Sequence, residues 1–167
     1  MKFIGADTDR WTTEGATSPE TRPCTLWTPQ QWPAVIAAGL DRVQTGLVLD
    51  NDIDVRDLGI DLDDVRMIAL RFPKWTDGRA YTQARLLRVR QGWTGELRAI
   101  GDVVVDMGLQ LARSGFDVAV LRPGQRPEVA QRVLQLFEVL LPRFANGPAY
   151  YQGDARDSRP RFLKEAA

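Results

Sequence analysis

Between Gly46 and Leu141 short apolar runs alternate with amphipathic segments, and this alternation limits the folds open to the chain more than any other feature. The apolar runs are Gly46 to Leu49, Val65 to Leu70, Leu97 to Ile100 and Val118 to Leu121. The second, VRMIAL, is almost continuous, as in a strand buried on both faces. The segments between them read as helices or helical turns. Val55 to Leu58 is a turn closed by Gly59. A helix from Ala80 to Gln91 is stopped by Gly92, with Ala84, Leu86 and Leu87 on its apolar side and Arg85 and Arg88 elsewhere. Val103 to Ser114 follows, capped by Asp102 in front and Gly115 behind. Pro127 to Leu141 is opened by Pro127 and closed before Pro142. Strands alternating with helices of this length predict an α/β protein with a mostly parallel sheet, either an open sheet or half of a (β/α) barrel.

The ends of the chain lack this pattern. Residues 1–30 are expected to form an N-terminal arm with little regular structure, 31–143 a single α/β domain, and 144–167 a C-terminal tail. Within the arm, Phe3-Ile4-Gly5 has the makings of a short edge strand, and Asp7 to Pro23 reads as loop. Thr28 and Pro29 resemble a helix start, leading to a short helix over Trp32 to Ala38. Trp11 and Trp27, and Tyr150 and Tyr151 in the tail, are apolar anchors for the core or for a second subunit. Covering open sheet edges by a symmetric homodimer is the corresponding expectation for assembly, with Val129 to Leu140 as a candidate face.

Composition removes several function classes. The 22 basic and 22 acidic residues cancel, so no overall field draws the chain to nucleic acid or to a membrane surface. There is no His, hence neither the commonest general base nor the commonest transition-metal ligand. One cysteine, Cys24, supplies no internal disulfide, redox pair or iron–sulfur ligand set. No metal site and no cofactor is expected, and the glycines form no dinucleotide or P-loop fingerprint. With no secretory signal or membrane span in view, the cytoplasm is the expected compartment.

The stretch Phe72 to Asp106 is where local rules are broken. Asp77-Gly78-Arg79 opens an Arg-rich helix, and Glu96 and Arg98 sit inside one short strand that ends in Gly101-Asp102. Charges in a buried strand cost stability unless paired, and such inconsistencies mark functional or strained sites. In parallel α/β folds the working surface lies at the carboxyl ends of the strands. Placed there, Arg79, Arg98 and Arg122 would bind a small oxyanion, with Glu96 and Gly101 in support. Asp77 and Asp102 are the only candidates for acid–base catalysis at that rim. The same residues would equally serve as a self-neutralising ion-pair network.

Three segments of this region, FPKWTDGRAYTQARLLR, GWTGELRAIGDVVVD and ARSGFDVAVLR, resemble a bacterial family catalogued only as a domain of unknown function. Its members are often described as an oxidoreductase of sulfite reduction, after genes neighbouring sulfite reductase. Thr82 stands where that family often has Ser, and Asp106-Met107 where it often has Asp-Gln. Sulfite reduction moves six electrons through siroheme, iron–sulfur, flavin or nicotinamide groups, for which this chain has no ligand set or fingerprint. The resemblance therefore implies an accessory role. The protein would dock on sulfite reductase or its electron donor, or bind a sulfur oxyanion, without being redox-active by itself. Trp75 and Trp93, which flank the Arg-rich helix, are candidate interface anchors or core residues. The alternative is a small enzyme or sensor acting on a phosphate- or sulfate-bearing metabolite at the strand ends.

Overall fold

In a computed structural model of the chain, residues 1–11 and 24–144 are described. The expected tail with Tyr150 and Tyr151, and the part of the N-terminal loop from 12 to 23, lie outside them. Six strands form one open, all-parallel sheet in the order β1-β6-β5-β4-β3-β2. They are β1 (Lys2–Gly5), β2 (Thr25–Trp27), β3 (Thr45–Leu49), β4 (Met67–Phe72), β5 (Glu96–Gly101) and β6 (Val118–Leu121). Of the two architectures left open by the alternation, the open sheet is the one adopted.

The helices are α1 (Trp32–Ala37), α2 (Arg79–Arg85), α3 (Gly108–Ser114) and α4 (Pro127–Phe144). From β2 to β6 the chain steps one strand at a time in a single direction. Right-handed crossovers then bring α1, α2 and α3 to the same face. The packing agrees. Trp32 and Val35 of α1, Ala80 and Leu87 around α2, Leu111 of α3 and Ala130 and Leu134 of α4 share one core with Leu47, Ile68, Leu97 and Leu121. The opposite face holds a smaller cluster, with Leu26, Val48, Met67, Ala69, Ile100 and Val120 packed against Ile4 and Trp11. No helix contributes to it among the described residues. Strand alternation produces this division, because successive side chains point to opposite faces.

Of the two strands within residues 1–30, β1 covers the edge strand expected at Phe3-Ile4-Gly5, and β2 is the departure from the expected arm. β1 is an edge strand beside β6, and the unexpected β2 is the other edge, beside β3. Three residues give too short a run for the alternation to be visible in β2, yet all three are buried. Trp27 is thus a core residue. Thr28 does not cap α1. It donates its N–H and its hydroxyl to Gln31 Oε1 at 3.0 and 3.1 Å, closing the turn before the helix.

The connection from β3 to β4 contains no α-helix. It makes two short 3-10 turns, Val55–Asp57 and Leu62–Asp64, capped by the side chains of Asp54 and Asp61. The acidic residues at 54 and 61 thus do a local backbone job. Gln83 of α2 holds the start of this connection by donating to Asp50 O and Ile53 O, both at 2.8 Å.

After Arg85 the helix widens into a π turn, Leu86–Arg90. Arg88 is there turned inward, next to buried Leu87, and not to the polar side expected from its charge. Nε donates to Gly115 O at 3.0 Å, Nη1 to Trp93 O and Gly95 O at 2.9 and 2.8 Å, and Nη2 to Asp117 Oδ2 at 2.5 Å. Its guanidinium carbon also lies 5.1 Å from the Trp93 ring centroid. Asp117 in turn accepts from Leu97 N at 2.8 Å, while its carbonyl takes Lys2 N at 2.8 Å. Arg88 and Asp117 thereby tie α2, β5, β6 and β1 together at the amino ends of the strands.

Candidate functional site

The polar residues at the carboxyl ends are assembled by the loops after β3, β4, β5 and β6. β3 delivers Asp50 and buried Asn51. The loop after β4 carries Trp75 and Asp77, and Arg79 begins α2. β5 ends at Gly101, with Asp102 next, and β6 is followed by Arg122. Gly101 makes this arrangement possible. Its φ is +95°, and a Cβ there would lie 2.4 Å from Phe72 O. That close approach lets Asp102 N donate to Phe72 O at 2.8 Å.

Asp102 is not a helix cap, as its place before the apolar run suggests. The helical segment begins later, with a 3-10 turn at Val105–Met107 leading into α3. The Asp102 carboxylate instead accepts from Trp75 N at 2.9 Å and from Arg122 Nη1 at 2.7 Å. Asp77 accepts from Asn51 Nδ2 at 2.7 Å, from Arg79 N at 3.2 Å, and from the Arg79 guanidinium at 2.8 to 3.3 Å. The loop from Pro73 to Gly78 is therefore pinned to β3 through Asp77 and to β5 through Asp102. Trp75, whose own N–H forms the pin to Asp102, remains 54% exposed.

Each arginine of the rim is engaged by one of the rim's own carboxylates. Arg79 pairs with Asp77, Arg122 with Asp102, and Arg71 with Asp50 at 3.3 Å. Both candidate catalytic carboxyls are held as anions. The Arg79 guanidinium, then the Arg79 backbone N–H, lower the pKa of Asp77 from 3.8 to about 2. The Trp75 N–H, followed by Arg122, lowers that of Asp102. A carboxylate with so low a pKa is a weak general base near neutral pH.

The sign of the Asp77 shift sets a pH dependence. The folded-state pKa lies below the unfolded value, so the stabilising contribution is complete above about pH 3.8 and is lost as pH falls through about 2. The difference in urea midpoint between wild type and Asp77→Asn is expected to be constant above that window and to shrink within it. A difference that grows on acidification would contradict the pairing.

Arg98 does not join Arg79 and Arg122. It projects from β5 onto the face without helices, where it is buried. Nη2 donates to Asp9 at 2.6 Å and Nη1 to Glu96 at 3.2 Å, and the Trp11 ring centroid is 5.8 Å from its guanidinium carbon. Its Nε is buried with no acceptor among the described residues. Glu96 supports Arg98, whereas Gly101 supports Asp102. The one strand thus serves two places, and the single oxyanion site expected from the three arginines is divided between them.

Trp93, flanking the same helix as Trp75, is a core residue whose Nε1 donates to Val65 O at 3.1 Å. An open cleft of about 540 Å³ lies beside it at the amino ends, lined by Leu62, Arg66, Gln91, Trp93 and Gly95 among others. The sequence signal for buried Arg88 is its spacing. It follows Ala80 and Ala84 by eight and four positions, on the stripe that faces the core.

Among the described residues no group of three or more His, Cys, Asp or Glu is placed to hold a metal ion. No helix among them is long and apolar enough to cross a membrane.

These observations define an all-parallel α/β protein with its helices on one face and a pinned, ion-paired rim at the carboxyl ends of the strands. The chain belongs to the family described as "Bacterial protein of unknown function (DUF934)", whose model matches residues 46–162. No curated protein matches the chain.

Proposed function

We propose that this protein is an accessory protein of assimilatory sulfite reduction that docks on sulfite reductase through its strand-end rim and carries no electrons by itself. The observation behind this reading is the exposed indole of Trp75 on a loop fixed at Trp75 N and at Asp77. A preorganised aromatic side chain loses little entropy on binding, and Trp and Arg dominate interface hot spots. The three rim arginines already have carboxylate partners, so their charge is in part neutralised before any free oxyanion arrives. The sulfite connection rests on the resemblance of the DGR, LLR and GELRA-GD segments to the family of sulfite-reductase neighbours. The donor set supports a non-redox role, with one cysteine and no histidine in the whole chain.

The test is binding of the full-length protein to purified sulfite reductase, and separately to its electron donor. The Trp75→Ala variant is expected to bind the reductase at least about 30-fold more weakly, a loss of about 2 kcal/mol typical of a hot spot. Absence of association, together with undiminished sulfite reduction in a deletion strain, overturns the proposal. A thermal shift with sulfite, sulfate or phosphate, abolished in Arg79→Gln or Arg122→Gln, would transfer the rim to the metabolite-binding alternative.

A further inference from the structure

We infer that the surface meeting this rim is acidic, an inference that rests on the docking role of Trp75. The rim ion pairs are layered. In the pair nearest α2, Arg79 is 58% exposed and Asp77 25%. In the pair between β5 and β6, Arg122 is 44% exposed and Asp102 26%. The carboxylates are thus recessed, pinning the loop, while the guanidinium groups face outward. Arg79 gives Nε and Nη2 to Asp77, and Arg122 gives Nη1 to Asp102. Each keeps further N–H donors in its planar fork that these bonds do not use.

Two more cations flank this layer. Lys74 immediately precedes Trp75, and Arg126 follows the turn after Arg122; both are exposed and neither forms an ion pair among the described residues. The order is reversed in the third pair, where Asp50 is 57% exposed against 40% for Arg71. This exception lies at the β3 end, where exposed Asp52 also acts on Arg79, so the outward positive charge is centred on Lys74, Arg122 and Arg126 at the ends of β4 through β6. The whole chain is formally neutral. Attraction therefore operates locally, over about one Debye length, and selects the orientation in which the partner's carboxylates surround the indole.

The experiment uses the full chain and purified sulfite reductase, and compares association rates of wild type, Trp75→Ala and Lys74→Glu/Arg126→Glu. Neither of the two reversed cations holds an ion pair among the described residues, and circular dichroism would establish that the double variant is folded. Its association rate at low ionic strength is expected to fall roughly tenfold, with the difference fading at high salt. A double variant that associates at the wild-type rate or faster, while Trp75→Ala still weakens binding, overturns the acidic partner and leaves the docking surface standing. Unimpaired binding by Trp75→Ala, or no binding by wild type, overturns both.

Discussion

Replacing Arg88 by Met is expected to cost about 3–5 kcal/mol, the range for removing one partner of a buried, hydrogen-bonded ion pair. Domains of this kind have roughly 5–15 kcal/mol in total, so much of the stability would go with one side chain. The reason is the number of groups that one guanidinium serves. The carbonyls of Trp93, Gly95 and Gly115 and the carboxylate of Asp117 all accept from it. Met fills a similar volume but leaves those acceptors facing an apolar chain. Arg88→Lys is expected to recover only part of the loss, because a single ammonium cannot reach four acceptors spread around a planar fork. Urea unfolding of the three proteins measures both steps. A Met variant within about 1 kcal/mol of wild type would show that water or relaxation replaces the network.

Gly101→Ala is expected to be the second most damaging change, at roughly 2–4 kcal/mol. Two costs combine there. The φ of +95° is unfavourable for any residue with a Cβ, and that Cβ would meet the Phe72 carbonyl at 2.4 Å. The obstacle is backbone in the adjacent strand and cannot rotate away. Gly124→Ala provides the control, since its φ of +83° carries the same kind of strain with nothing within 4 Å of the added methyl. It should lose about 1 kcal/mol. The excess at position 101 isolates the clash between strands. It should also release Asp102 from Trp75 N. Equal losses at the two positions would refute the steric account.

The central part of the fold was legible because its strands are buried on both faces and its helices on one. Val118 to Leu121 and the start at Pro127 coincide with the observed bounds. β2 was hidden because three residues cannot display a period, and its burial comes from neighbours distant in sequence. The candidate site was legible as a set of residues and not as a geometry. Alternation along β5 separates Arg98 from the rim, but the loop geometry that turns Asp102 toward Trp75 and Arg122 depends on a close approach between β4 and β5. No local pattern encodes that contact. Arg88 illustrates a different failure. Charge argued for solvent and spacing argued for the core, and the π turn with its ring of carbonyl acceptors let spacing prevail.

The pairing of Lys2 with Val118 and of Gly5 with Leu121 has a consequence for synthesis. β1 leaves the ribosome before the other described strands, yet its partner emerges only after the rest of them have been made. The earlier strands β2 to β5 can add neighbour to neighbour as they appear, with short loops to close at each step. β1 must wait as an unpaired ribbon and then close a loop containing nearly all of the described chain, the slow kind of contact in folding. Until then one edge of β6 stays open, and a nascent chain carries both halves of an unmade β pair. Intermolecular exchange of β1 between two such chains would satisfy the same hydrogen bonds, so crowded polysomes are the setting in which this topology is most exposed to misassembly.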